Sequence, residues 1–291
     1  MLRARELSAR LARRAPQGMI RLIGRHQNVP IVRRFGDGIR AIMSVDGRIV
    51  HGEGAGLRFN SQGGNAGYAL GTSELEIQQA FARLLAEGQV VYDVGAASGF
   101  YTVIAARAVG ERGRVIAFEP RPDNVERVRH NVALNGFRHV EILELALADS
   151  TGSASFSLGA EVTRGGLSQH HAEPDQHGTI AVKTSTIDRL VSEGLPPPDV
   201  IKMDIEGAEV EALEGAASTL ATSAPNLLIE VHGRAPELDA VLRRIGYLGN
   251  VIEADVPVSD AAWGMHVLAT SASSVRDASP PGPSSSRPSA P

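Results

Sequence analysis

The 291-residue chain has no cysteine, which excludes disulfides, zinc ribbons, iron–sulfur clusters and thiol catalysis. No apolar run reaches 18 residues, so nothing reads as a membrane-spanning helix. The N-terminus is arginine-bearing but lacks a continuous apolar stretch and a small-residue cleavage site, so no secretory signal is read there. Neither sign of charge dominates: 29 Lys and Arg face 33 Asp and Glu, for a net charge of −4. That balance gives no overall pull towards nucleic acid or membrane. The expectation is a soluble, cytoplasmic protein with no nucleic-acid partner. With 43% hydrophobic residues, the chain is long enough for one sizeable core or two small ones.

What charge asymmetry there is sits at the start. Residues 1–40 hold ten arginines against Glu6 and Asp37, which marks a basic arm, helical or partly disordered, that suits peripheral contact with anionic lipid or an acidic partner. Residues 41–88 read as short strands, with Asp46-Gly47 a hairpin signal. They end in a helix capped by Thr72 or Ser73 and stopped at Gly88. From residue 89 to 270 the pattern alternates. Strands at 90–94, 114–118, 140–144, 199–204, 226–231, 247–252 and 265–269 are separated by helices at 100–109, 122–134, 186–192, 208–220 and 236–244. A small β excursion covers 153–158 and 179–184. Apolar strands spaced by helices of this length specify an α/β fold, a doubly wound and mostly parallel sheet with helices on both faces. Residues 271–291 are Ser/Pro-rich and read as a disordered tail.

The stretch "VVYDVGAASGFYT", residues 90–102, lies at a strand end, where open parallel sheets hold their ligands. Its spacing is D-x-G-x-x-x-G, not the G-x-G-x-x-G that makes room for a pyrophosphate. Asp93, directly before the glycines Gly95 and Gly99, would repel a pyrophosphate. It suits a ligand with an ammonium or sulfonium group, and S-adenosylmethionine carries both. Glu119 ends the next strand, 20 residues after Gly99, where a carboxylate can accept from a ribose diol. Asp149 is at the third strand's end, placed to accept from an adenine amino group.

"YDVGAASGFYT", "GRVIAFEPRPDNVERVRHNVALNG", "ALADSTG", "TIDRL", "VIKMDIEGAEVEALEGA" and "LLIEVHG" occur in this order, and the set resembles the FkbM-type methyltransferases from about Gly71 to Gly233. Ala97 stands where that family's loop commonly has asparagine, which removes one side-chain contact. The resemblance implies a Rossmann-like class I methyltransferase domain, with residues 41–88 as a small N-terminal α/β extension. It implies methylation of a hydroxyl, on a small molecule, a sugar or a glycolipid-like acceptor. Carried over by position, Asp93, Gly95 and Gly99 line the methionine portion, Glu119 holds the ribose and Asp149 lies near the adenine. The rivals are a dinucleotide-dependent oxidoreductase and a non-catalytic binding module on the same fold.

"DVIKMDIEGAEVEALEGA" puts Lys202 in a strand buried on both faces, which requires a partner. Strand alternation places Lys202, Asp204 and Glu206 on one side. Glu230 and His232 share a side in the same way at the end of 226–231, and the two strands are expected to be neighbours. A hydroxyl is a poor nucleophile, so a general base is expected, with Asp204 and His232 the candidates and Lys202 the ordering partner. Asp204, Glu230 and His232 are also a possible divalent-cation set, or members of a structural ion-pair network. Glu206 and Glu209 read equally as acids at a helix start. Residues 159–178, with His170, His171 and His177, form a candidate acceptor lid, and Tyr68, Thr72 and Glu74 are candidate pocket neighbours.

Overall fold

A computed structural model describes residues 45–62, 64–159, 165–167 and 178–272. The arginine-rich arm, the three loop histidines and the tail beyond residue 272 lie outside these. Five parallel strands form most of the central sheet: β3 (Val90–Val94), β4 (Arg114–Phe118), β5 (Val140–Leu143), β10 (Val200–Met203) and β11 (Asn226–Val231). Two further strands, β12 (Tyr247–Val251) and β13 (Met265–Ser271), complete the order β12-β13-β11-β10-β3-β4-β5. The exception to parallel pairing is β13, which runs antiparallel to both neighbours, β11 and β12.

Helix α3 (Phe100–Val109) follows β3, and α4 (Pro122–Asn135) follows β4. Proline in the first turn and Gly136 at φ +72° beyond the last turn delimit α4. Eight of the ten α3 residues are buried. A helix apolar on all sides needs cover on both, and one side packs on the sheet. The other is covered by β1 (Gly47–Arg48), β2 (Arg58–Phe59), α1 (Ala66–Leu70) and α2 (Leu75–Leu84). Phe59 and Tyr68 contact the Phe100 ring, and Phe81 meets Tyr101 edge-on. A second sheet, in the order β6-β9-β7-β8, is built from β6 (Ala146–Leu147), β7 (Gly152–Leu158), β8 (Gly165–Leu167) and β9 (Thr179–Ser185). The remaining helices are α5 (Ile187–Ser192), α6 (Glu209–Glu214), α7 (Ala217–Ser223) and α8 (Ala235–Arg244). No described helix is long and apolar enough to cross a membrane.

Three local expectations need correction. Asp46-Gly47 is not a hairpin turn: Gly47 pairs with Phe59 inside β1, and the Asp46 carboxylate instead accepts from Asn60 and meets His130. Thr72 and Ser73 do not cap α2, which starts after Glu74 and ends at Leu84, short of Gly88. The Ser73 carbonyl accepts from Gln78, and the Glu74 side chain is drawn away by two tyrosines. Residues 208–220 are not one helix. They break at Gly215, where a Cβ would stand 2.1 Å from the Ala148 carbonyl oxygen. Asp188 of α5 then accepts from the Ser218 and Thr219 amides and starts α7 from outside.

Candidate active site

The C-terminal ends of β3, β4, β10 and β11 meet at one edge of the sheet and carry two adjoining sites. The first is a cleft open to solvent at the carboxyl edge of the sheet, where open parallel sheets hold their ligands. Gly95 and Ala97 from the β3 loop, Glu119 and Arg121 after β4, Asn124 of α4 and Asp204 after β10 line it, with Leu145–Leu147, Phe156 and Leu167 on the far wall. Gly95 has φ +83°, and a Cβ there would lie 1.8 Å from the Asp204 carbonyl oxygen. Only glycine lets β3 and β10 approach this closely. Ala97 also takes a left-handed φ of +51°, a conformation asparagine tolerates better than alanine.

The buried Glu119 carboxylate accepts from the Ala97 amide at 2.8 Å and the Arg121 amide at 3.0 Å. Burial pushes its pKa up to about 7, against the pull of those amides, Asn124 and Arg121. Asp93 lies beneath the loop, out of the lining. Its Oδ2 accepts from Thr102 Oγ1 at 2.5 Å, while Oδ1 is buried with no hydrogen-bond partner among the described residues. Burial raises its pKa, opposed by Lys202 and Thr102. Gly99, at φ +81°, starts α3 and packs on Val128 away from the cleft. Asp149 is exposed, two residues past β6, and accepts from Ser150. Of the five residues assigned to the cofactor by sequence, Gly95 and Glu119 line the cleft; Asp93, Gly99 and Asp149 lie around it.

The second site is a charged cluster on the α3 side of the sheet. Strands β10 and β11 are neighbours, and Lys202 lies level with Asp93 across the β10–β3 pairing. Lys202 Nζ is 3.1 Å from Asp204 Oδ2 and 4.9 Å from the centre of the Tyr101 ring. His232 Nδ1 is 2.9 Å from Glu209 Oε1. Its Nε2 faces Glu230 at 3.4 Å, Glu206 at 3.7 Å and Asp204 at 3.8 Å. Although burial alone would lower it, these acids, Glu209 and Glu230 foremost, raise the His232 pKa to about 11. The ring is therefore a cation at neutral pH. Burial raises the Asp204 pKa; Glu230 and Glu74 add to this, while Lys202 and His232 oppose it. Glu230 is lowered: burial opposes the change, but the imidazoles of His232 and His266 outweigh it. Asp204 is partly open, with 27% of its side chain exposed.

Tyr101, His266, Glu253 and Trp263 also belong to this region and were not singled out from the sequence. His266 Nδ1 is 2.7 Å from Glu253, and its Nε2 lies 3.5 Å from Glu230. It is there because β13 pairs antiparallel with β11, setting His266 level with Glu230. Spacing along the chain carries no sign of that insertion. Tyr68 and Tyr101 both donate to Glu74 at 2.8 Å, which brings the N-terminal segment to the cluster. Thr72 has no such contact. Glu74 and Glu206 hold left-handed backbone, φ +51° and +56°, and strain of this kind concentrates at working sites.

A seven-stranded, mostly parallel sheet with one antiparallel strand, and a ligand cleft at its carboxyl edge, is the class I methyltransferase arrangement. The family model for the methyltransferase FkbM domain matches residues 93–252, more than half of the chain, and the chain belongs to that family. It is 32% identical over 164 residues to the hexuronic acid methyltransferase AglP of Haloferax volcanii, a match covering 55% of this chain and 64% of that protein. It is 28% identical over 164 residues to the 2-O-methyltransferase NoeI of Sinorhizobium fredii, covering 51% and 66%. The crystal structure of an FkbM methyltransferase from Methylobacillus flagellatus aligns with a TM-score of 0.45 at 17% identity, over 84% of this chain and 60% of that one.

Proposed function

We propose that the protein is an S-adenosylmethionine-dependent O-methyltransferase acting on a sugar hydroxyl. The observation that carries this is the position of Asp204. Its backbone abuts the Gly95 loop and lines the cleft, while its side chain opens the charged cluster. A cofactor in the cleft and an acceptor at the cluster would meet at this residue. The two relatives named for sugar and 2-O methylation support the acceptor class.

The residues fit the cofactor. The close approach at Gly95 and the Glu119 carboxylate offer a backbone cradle and an acceptor for a ribose diol, and Asp93, buried beneath the loop, would support that cradle from below. Gly99 would support the cradle by starting α3, and Asp149 would border the adenine end. When bound, S-adenosylmethionine supplies an electrophilic methyl group on a sulfonium.

The chain's own task is to orient the acceptor and take its proton. His232, buried with a carboxylate at each ring nitrogen, leaves the base to Asp204. Asp204 takes the hydroxyl proton, and its raised pKa makes it a better acceptor than an ordinary carboxylate. Lys202 holds its other oxygen in place. His232, gripped by Glu209, offsets the negative charge of Glu206 and Glu230. We read the reaction as metal-free. One carboxylate oxygen each from Asp204 and Glu230 and one ring nitrogen of His232 lie within 4.8 Å of one another, but the Lys202 ammonium beside Asp204 already supplies the positive charge a cation would bring.

The test is methyl transfer to neutral sugars by the full chain and by Asp204→Asn, alongside calorimetry with S-adenosylhomocysteine. Loss of the base should lower kcat by roughly 10²–10⁴-fold with adenosyl-ligand affinity kept. In the parent enzyme, kcat/KM should fall on acidification at a pH above the ordinary Asp range, and a chelator should change nothing. Full activity in the variant would remove Asp204 as base, and activity lost to a chelator would restore the cation.

A further inference from the structure

We propose that Trp263 is the platform on which the acceptor's sugar ring lies, in a subsite beside the charged cluster that presents one hydroxyl to Asp204. This rests on the sugar-methylation reading above and names the residue that would recognise the ring.

Trp263 is the only tryptophan of the 291 residues. With 60% of its surface exposed, it is the most exposed large hydrophobic residue among those described. A lone exposed aliphatic residue is ordinary, but an indole left in water forgoes the largest apolar burial any side chain offers. It is not on a loose tip. Val258 and Ala261 before it are buried in the main core, and the Gly264 amide after it donates to the Val231 carbonyl at 2.7 Å. The loop is thus tied down on both sides of the indole, at the carboxyl end of β11.

The indole meets the His232 ring edge-on, with centres 5.0 Å apart and planes at 77°. The Nε2 of that imidazole faces Asp204 at 3.8 Å, Glu206 at 3.7 Å and Glu230 at 3.4 Å. An open aromatic surface is therefore one imidazole away from the proposed base, flanked by carboxylates that only accept hydrogen bonds when ionised. That combination suits a pyranose, whose C–H face packs on an aromatic ring while its hydroxyl edge donates to carboxylates.

The single tryptophan makes the test direct, since all indole emission comes from this position. The full-length protein, saturated with S-adenosylhomocysteine, would be titrated with methyl glucoside, methyl fucoside and methyl rhamnoside, and each sugar assayed for methyl transfer. A saturable change in emission with at least one methylated pyranoside is expected. Trp263→Ala should raise KM for that sugar roughly tenfold or more, with kcat changed far less, and Trp263→Phe should recover most of the loss. Emission silent to a sugar that is methylated, an unchanged KM in Trp263→Ala, or no pyranoside bound by protein that still takes up S-adenosylhomocysteine would each overturn the subsite. Failure to bind S-adenosylhomocysteine would instead bring down the methyltransferase reading beneath it.

Discussion

Two backbone amides donate to Glu119, yet burial still carries its pKa from the ordinary 4.5 to about 7. A carboxyl whose folded value is raised adds stability below its unfolded value, and that stability is lost as pH rises through the folded one. At pH 8 the ionised, buried Glu119 therefore costs the fold about 3 kcal/mol. Glu119→Gln cannot ionise but leaves one of the two amides facing a donor at every pH, so its melting temperature relative to the parent's should be roughly 6–10 °C more favourable at pH 8 than at pH 4.5. The same variant should bind S-adenosylhomocysteine about 10–100-fold more weakly, the loss expected for hydrogen bonds to a charged group. Melting curves at the two pH values, with calorimetry, check both halves. A difference from the parent that is the same at both pH values would mean the amides fully satisfy the carboxylate.

At the scale of elements, the sheet edge functions because short connections end where the strands do. Gly95, Glu119, Asp204 and His232 each stand one residue beyond β3, β4, β10 and β11. The helices behind them have to start at set places, and the one after β10 is split to do so. Asp188 reaches from α5 to start α7 while Gly215 sits against the Ala148 carbonyl, which ties α5 and α7 to the loop after β6. Asp188→Ala removes that borrowed cap and should cost about 1 kcal/mol, a fall in Tm of roughly 2–4 °C, with adenosyl-ligand affinity retained. Unchanged melting would show that the break at Gly215 alone sets the start of α7.

For the whole molecule, the N-terminal segment and the sheet share one site. Tyr68 from α1 and Tyr101 from α3 close on Glu74, next to Lys202. Burial and the charge of Glu74 raise the pKa of both phenols, so they stay protonated and act as donors. Glu74→Ala would leave two buried hydroxyls without this acceptor, at about 1–3 kcal/mol each. Denaturant unfolding should show a midpoint shifted well down in a single transition. Two transitions would mean residues 45–84 unfold as a separate unit. The burial of eight of the ten α3 residues between sheet and outer cover argues for one.

The sequence by itself determined the alternating α/β pattern, most element limits, the glycine loop, the strand-end acids and the family. These depend on short-range chemistry: apolar periodicity, the space a glycine leaves and the ends of successive strands. Lys202 was legible for a different reason, since an ammonium in a doubly buried strand demands a partner, and Asp204 two residues on supplies it. Only the tertiary structure decided which acids and bases meet. His266 reaches Glu230 because β13 inserts antiparallel beside β11, Glu74 reaches the site because an apolar α3 needs an outer cover, and Trp263 stands by His232 because its loop is anchored on both sides. Each of these pairs residues far apart in the chain. Their proximity follows from how layers pack, and no local spacing encodes it.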